Sequence, residues 1–116
     1  VAADDYCYLT TTGRRSGRGH RIEIWYAADG STLYLLAGGR LRADWVQNLV
    51  AEPTVTVEID GVAHRGQARV LEGDADADEA ARARRLVFDK YSTREPEDLT
   101  PWRDAALPVA IDLAAE

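Results

Sequence analysis

The chain is 116 residues long, with 46% hydrophobic and 29% charged residues, a formal net charge of −6 and one cysteine. That length holds one core and is short for two, so a single domain over residues 1–116 is expected, and the composition is that of a globular chain. The acidic balance argues against nucleic acid as a partner, because duplex binding draws on neutralised phosphates; the lone Cys7 excludes an internal disulfide and a cysteine-based zinc site.

Tyr6 to Thr12 is rich in β-forming residues and stops at Gly13, which predicts a first strand, and Cys7 within it reads as a small packed side chain. The nine residues from Gly13 to Arg21 hold four arginines, three glycines, a serine and a histidine, a local concentration of positive charge in an acidic chain. Glycine lets backbone N–H groups turn toward a ligand, serine adds a hydroxyl donor, and arginine offers a planar fork matched to phosphate or carboxylate. The segment therefore reads either as an anion-binding loop for a small ligand or as a solvated, arginine-rich hairpin loop. From His20 to Ala28 the alternation predicts one strand, with His20, Ile22, Ile24 and Tyr26 on one face and Arg21, Glu23, Trp25 and Ala27 on the other. Asp29-Gly30 signals a hairpin turn, and Thr32 to Ala37 follows as a nearly all-apolar strand ended by Gly38-Gly39.

Asp44 is placed to cap a short helix, with Gln47 completing a capping-box-like pair and Trp45, Leu49 and Val50 as its apolar stripe; Pro53 stops it. Thr54 to Ile59 alternates with Val55, Val57 and Ile59 inward, and Asp60-Gly61 turns the chain into Val62 to Leu71. Acids at Asp74, Asp76, Asp78 and Glu79, followed by Arg82, Arg84, Arg85 and Lys90, match the field of a helix whose apolar side is Ala83, Leu86, Val87 and Tyr91. Ser92 to Arg103, with Pro96 and Pro101, reads as a mobile loop or short helical turn, and Leu107 to Leu113 as a closing strand. About six hairpin-linked strands with two helices predict a mainly β (α+β) fold, a small and mostly antiparallel barrel. The two histidines, His20 and His64, lack metal-ligand spacing, so no metal is assigned, and His64 reads as a strand residue. No apolar run approaches the length that crosses a bilayer and no signal peptide is visible, so the expectation is a cytoplasmic protein; Val1 in place of an initiator Met implies that residues precede it.

Leu9-Thr10-Thr11-Thr12-Gly13-Arg14-Arg15-Ser16-Gly17, Ile24-Trp25-Tyr26, Asp29-Gly30, Ala37-Gly38-Gly39 and Asp44-Trp45-Val46-Gln47-Asn48-Leu49-Val50-Ala51-Glu52-Pro53 together resemble the deazaflavin-dependent nitroreductase family, in order and in register over about residues 8–71. The resemblance implies a split β-barrel, related to the flavin-binding pyridoxamine-phosphate-oxidase-like folds, that holds coenzyme F420 in a groove. It also implies hydride transfer from the reduced deazaflavin to a small-molecule acceptor: a quinone, nitroaromatic or activated alkene. Such a coenzyme carries a phosphodiester and a glutamate tail, so the arginine loop has an anion to meet. By position, Arg14, Arg15, Ser16, Arg18 and His20 match the family's phosphate- and tail-binding stretch. Ile22 to Trp25, including Ile24, match the strand against the ring system, and Ala37, Gly38, Gly39 and Arg40 match the loop on its other side. Asn48 lies on the helix with the Trp-x-x-Asn-Leu pattern, as a ligand contact or as an amide packed on a loop.

Three features depart from the family pattern. Glu23 stands where relatives have proline, and pairs with Arg21 or Arg40 or, if burial raises its pKa, donates a proton. The loop from Gly38 to Asp44 is short and carries Arg40 and Arg42 in place of a Lys-Gly-Gly run, and His20-Arg21 replaces a Pro-Arg-like step. An acceptor over the ring needs an apolar slot and a proton; Tyr26, Tyr91 and Trp102 either build that slot, with Tyr91 as donor and Trp102 as a lid, or are core aromatics. Two competing readings are an FMN enzyme on the same barrel and a non-catalytic carrier of F420 or an acyl ligand. A homodimer through exposed sheet faces is an open expectation.

Overall fold

In a computed structural model residues 6–114 are described, so the two ends of the expected 1–116 domain lie outside the described residues. The strands are β1 (Cys7–Thr12), β2 (Gly19–Ile24), β3 (Ala27–Asp29), β4 (Thr32–Ala37), β5 (Thr54–Ile59), β6 (Val62–Val70) and β7 (Leu107–Leu113); the helices are α1 (Asp44–Ala51), α2 (Ala77–Tyr91) and α3 (Thr100–Ala105). All pairings are antiparallel, in the order β2-β1-β5-β6-β7-β4-β3. The two outermost strands of this sheet, β2 and β3, follow each other in the chain, and the links from Ile24 to Ala27 span at most about 11 Å. A sheet whose two edges are tied so closely must curl, and the result is a barrel. It is also split: β3 covers only Thr32 to Tyr34 of β4, so Leu35 to Ala37 on one side and β2 on the other diverge from the Trp25-Tyr26 apex.

The expected single strand from His20 to Ala28 is therefore two strands, and the barrel has seven strands rather than six. Hydrogen bonding explains the break. Tyr26 N–H donates to the Tyr91 hydroxyl at 3.1 Å, and the Tyr26 carbonyl accepts from that hydroxyl at 3.1 Å and from Lys90 Nζ at 2.8 Å. Side chains of α2 thus take the bonds that a continuing ladder would have used. The expected faces survive the bend: Ile22, Ile24 and Tyr26 join the barrel interior with Leu9, Leu35, Val57 and Ile111, while Trp25 and Ala27 pack outside it under α2. Cys7 is fully buried in the barrel, and desolvation pushes its thiol up to about 12, as expected for a packed side chain.

Helix α2 lies across the outer face of β4 and β7. Ala80 and Ala83 meet Ala110 and Ala27 there, and their small side chains let the helix seat closely on the sheet. Arg69 on β6 pairs with Glu79 of α2 at 2.6 Å and with Asp112 of β7 at 2.6 Å, binding helix to sheet at one corner. A third helix, α3, occupies part of the expected mobile stretch, and its C-terminal carbonyls at Arg103 and Ala106 accept from Arg84 at 3.0 and 3.1 Å. Among the described residues no helix is long and apolar enough to cross a membrane.

Candidate functional site

The loop between β1 and β2 is closed by its own backbone. Gly13 N–H donates to the Arg18 carbonyl at 2.7 Å, Gly17 N–H to the Gly13 carbonyl at 2.8 Å, and Arg18 N–H to Ser16 Oγ at 3.1 Å. A Cβ at Gly13 would lie 2.5 Å from His20 Nε2 and 2.7 Å from Ser16 Oγ, so both side chains would have to turn aside. With no side chain at that point, the imidazole and the hydroxyl both turn into one hollow. That hollow has a volume of about 310 Å³ and is walled by Gly13, Arg14, Arg15, Ser16, His20, Asp44 and Asn48.

Helix α1 fixes the loop. Asn48 is 4% exposed; its Oδ1 accepts from Arg14 N–H at 3.2 Å and from Arg14 Nη1 at 2.8 Å, and its Nδ2 donates to Thr11 Oγ1 at 3.2 Å. One carboxamide thus joins strand, loop and helix. Asp44 is not the helix cap that its sequence position implied. Ala43 occupies the cap position without a side-chain bond, Asp44 is the first helical residue, and its carboxylate reaches across to Arg14 Nη2 at 3.2 Å. Gln47 turns outward and donates to the Leu41 carbonyl at 3.1 Å instead of completing a capping box. The buried stripe is Val46, Asn48 and Leu49, with Trp45 beside it, whereas Val50 is 60% exposed.

Arg14 is thus engaged as a strut. Among the described residues Arg15 and Arg18 make no side-chain ion pair, but only Arg15 lines the hollow, and the Arg18 side chain lies outside its walls. Two further hollows flank the split. Glu23, Ile24, Trp25, Leu36 and Trp102 enclose about 300 Å³, and Gly38, Gly39, Arg40, Leu41 and Arg42 enclose about 490 Å³. Trp102 stands edge-on to Trp25, with ring centroids 5.6 Å apart, and lies against Gly38. Arg40 adopts a positive φ of 53°, uncommon outside glycine, and its Nη1 donates to the Ala105 carbonyl of α3 at 2.5 Å.

Several expected site residues belong elsewhere. Tyr91 is 1% exposed and stacks on Trp25 at 4.3 Å, and its hydroxyl is spent on the Tyr26 backbone; burial pushes it up to about 12, so it is a core strut and not a proton donor. Tyr26 is likewise core, at 1% exposure, and the hollow of about 320 Å³ that it borders, with Leu33, Ile59 and His64, is a different one from that walled by Trp25 and Trp102. Ile22 and Ala37 sit on the barrel interior, at the walls of the split. Glu23 is exposed and pairs with neither expected partner: Arg21 is held by Glu58 at 2.9 Å and Arg40 by the Ala105 carbonyl. The burial that a proton-donor role required is absent. Leu36 and Thr11 were not singled out by sequence, which marks Asp44 as a helix cap rather than a site residue. Asp44 and Thr11 become visible only through Arg14 and Asn48, some 30 positions away or more.

A family model described as F420H(2)-dependent quinone reductase matches residues 2–113. The chain belongs to that family. No relative was found among curated proteins. A solved F420-H2 dependent reductase, FDR-A, is similar over 95% of this chain and 94% of its own, with a TM-score of 0.65 and 23% identity. A candidate 5-nitroimidazole antibiotic resistance protein from Bacteroides thetaiotaomicron gives 0.73 and 14% over 98% of this chain and 75% of its own. An FAD-binding protein from Mesorhizobium loti gives 0.69 and 15% over 98% and 84%. At these identities the structures show the fold, a split β-barrel, and the family match shows an F420-dependent reductase.

The residues present fit such a coenzyme. The unengaged Arg15 guanidinium, the Ser16 hydroxyl and His20 wall one hollow and suit a phosphodiester or carboxylate tail.

Proposed function

We propose that this reductase delivers hydride from reduced F420 to a small organic acceptor of the quinone, nitroaromatic or activated-alkene type. Bound F420 supplies the hydride; the chain supplies position and field. Arg15, His20 and the backbone N–H groups of Arg15 and Ser16 hold the anionic tail, while Arg14 and Asn48 keep that loop in place. The free edge of β2, from Ile22 to Ile24, orients the ring system, and Gly38 to Arg40 bound it from the other side. Leu36, Trp25 and Trp102 form the apolar wall against which the acceptor lies, with Trp102 as its cover. The proton that completes reduction comes from solvent at the open mouth. We place any homodimer contact on the uncovered outer face of β1, β2 and β5, to be tested by sedimentation.

The observation that carries this reading is the loop hollow walled by Arg15, Ser16, His20 and Asn48 at the open end of the split. Fluorescence titration with F420 beside FMN tests the coenzyme, and oxidation of reduced F420 on adding menadione or a nitroaromatic tests the reaction. Preference for FMN, or tight F420 binding with no turnover of any acceptor class, contradicts it.

A further inference from the structure

Glu23 and Trp25 point to the outer side of the split because they alternate along the chain with inward Ile22, Ile24 and Tyr26. Leu36 faces outward from β4 on the opposite bank, and Trp102 reaches the same place from α3. These side chains wall the hollow of about 300 Å³, and Glu23 is the charged residue in its lining. The two indole planes stand at 89°, and Trp25 is locked by its stack on Tyr91, with an interplanar angle of 5°. The corner is thus rigid on one side. The arginines nearest in sequence and on flanking elements are engaged: Arg21 by Glu58 at 2.9 Å, Arg40 by the Ala105 carbonyl at 2.5 Å, and Arg103 by Asp104 at 2.9 Å.

Lys90 and Arg94 lie over the Tyr91 ring, 5.1 and 5.7 Å from its centroid, while Glu23 is the charge in the lining itself, so the hollow presents a carboxylate beside two electron-rich indoles. Indole faces attract cations through the ring quadrupole, and substituted ammonium groups are a chemistry that such aromatic corners recognise. We propose that this hollow selects acceptors carrying a cationic group, a substituted ammonium or amidinium, beside the centre to be reduced. The inference rests on the reading above, in which the acceptor lies against Trp25 and Trp102. Neutral acceptors gain only apolar contact there, and anionic ones meet Glu23. The selection is electrostatic at an exposed site, so it weakens as ionic strength rises.

Three naphthoquinones of matched shape test it, bearing a trimethylammonium-methyl, a neopentyl and a sulfonatomethyl substituent. Their kcat/KM values with reduced F420 are compared between the native chain and Glu23→Gln. A cationic substituent raises the intrinsic reactivity of the quinone in both proteins, so the decisive quantity is the ratio of cationic to neutral substrate. That ratio is expected to fall about fivefold in Glu23→Gln, the upper end of an exposed ion-pair preference, since both indoles remain. An unchanged ratio overturns the proposal. Quenching of tryptophan fluorescence by benzyltrimethylammonium, without coenzyme, is read separately. Saturable quenching that weakens in Glu23→Gln supports the cation site even if no quinone is turned over, an outcome that would count against the reductase reading alone. Quenching identical in both proteins overturns the cation site.

Discussion

Replacing Asn48 with alanine separates the strut that holds the loop from the groups that meet the ligand. The carboxamide makes one bond to the Arg14 guanidinium at 2.8 Å and two neutral bonds, from Arg14 N–H and to Thr11 Oγ1, each at 3.2 Å. A charge-assisted bond contributes about 1.5–3 kcal/mol and a neutral one about 0.5–1.5 kcal/mol. Water from the adjoining hollow re-solvates part of what is exposed, so the net loss is about 2–4 kcal/mol, or a fall in Tm of about 10 °C for a domain of this size. F420 affinity falls with it, because the Arg14 backbone and the turn beyond it lose their anchor. Asn48→Asp is the companion. Its carboxylate keeps the bonds from Arg14 and accepts from the Thr11 hydroxyl, so Tm stays close to that of the native chain, yet a negative charge now lines the anion hollow and coenzyme binding drops about tenfold, roughly 1.4 kcal/mol. Thermal unfolding by circular dichroism and fluorescence titration with F420 measure the two effects. An alanine variant that melts within 2 °C of the native chain, by the ~0.5 kcal/mol expected of an inert surface change, refutes the strut. An aspartate variant with unaltered affinity refutes the anion site.

Arg15→Ala is expected to weaken F420 binding about tenfold with a stability change under about 0.5 kcal/mol, since that guanidinium makes no ion pair among the described residues; equal losses of affinity and stability would show that it is structural. Asp44→Asn removes a carboxylate from the wall of the anion hollow and is expected to tighten F420 binding a few-fold, while costing about 0.3–1 kcal/mol of helix stability at the α1 N-terminus. Weaker binding in that titration would mean that Arg14 needs the carboxylate for its position. The Arg69 guanidinium holds the Glu79 and Asp112 carboxyls below their ordinary values, and the same pairs raise Arg69 further above its own. Stability from this corner is therefore present above the unfolded carboxylate pKa values and lost as pH falls through the depressed folded ones. Urea unfolding from neutral pH into the acid range should show that loss, about 1 kcal/mol for a partly exposed network, and Arg69→Leu should flatten it; an unchanged acid slope rejects the cause. Gly66→Ala puts a Cβ 2.7 Å from Ile111 Cγ2 and 3.1 Å from the Asp112 carbonyl inside the barrel, and is expected to cost about 1–3 kcal/mol in the same assay.

Local pattern was enough to place the strands that pack on both sides or close through tight turns. β4, β5 and β7 begin and end where alternation and flanking turn residues put them, and Asp60-Gly61, with φ of 54° and 79°, makes the expected reversal between β5 and β6. The arginine loop was legible because its composition contrasts with the rest of the chain. The failures share a cause. Periodicity assigned Tyr26 to a face correctly but not to a strand pairing, because the Tyr91 hydroxyl and the Lys90 ammonium that interrupt the ladder come from a helix more than 60 residues away. Asp44 looked like a cap and Tyr91 like a donor for the same reason: their partners are remote.

Sequence by itself determined the order of elements apart from the β2–β3 break and α3, the inward and outward faces of the strands, the single buried thiol and the concentration of positive charge between β1 and β2. These depend on residues a few positions apart, where backbone geometry alone fixes who shares a face. Only the tertiary structure decided that the sheet splits at Trp25-Tyr26, that Arg14 braces the loop while Arg15 faces the hollow, and that Glu23 shares a pocket with two indoles. Each of those facts is set by side chains from distant segments competing for the same hydrogen bond, ion pair or space, and that competition is resolved only when the barrel closes.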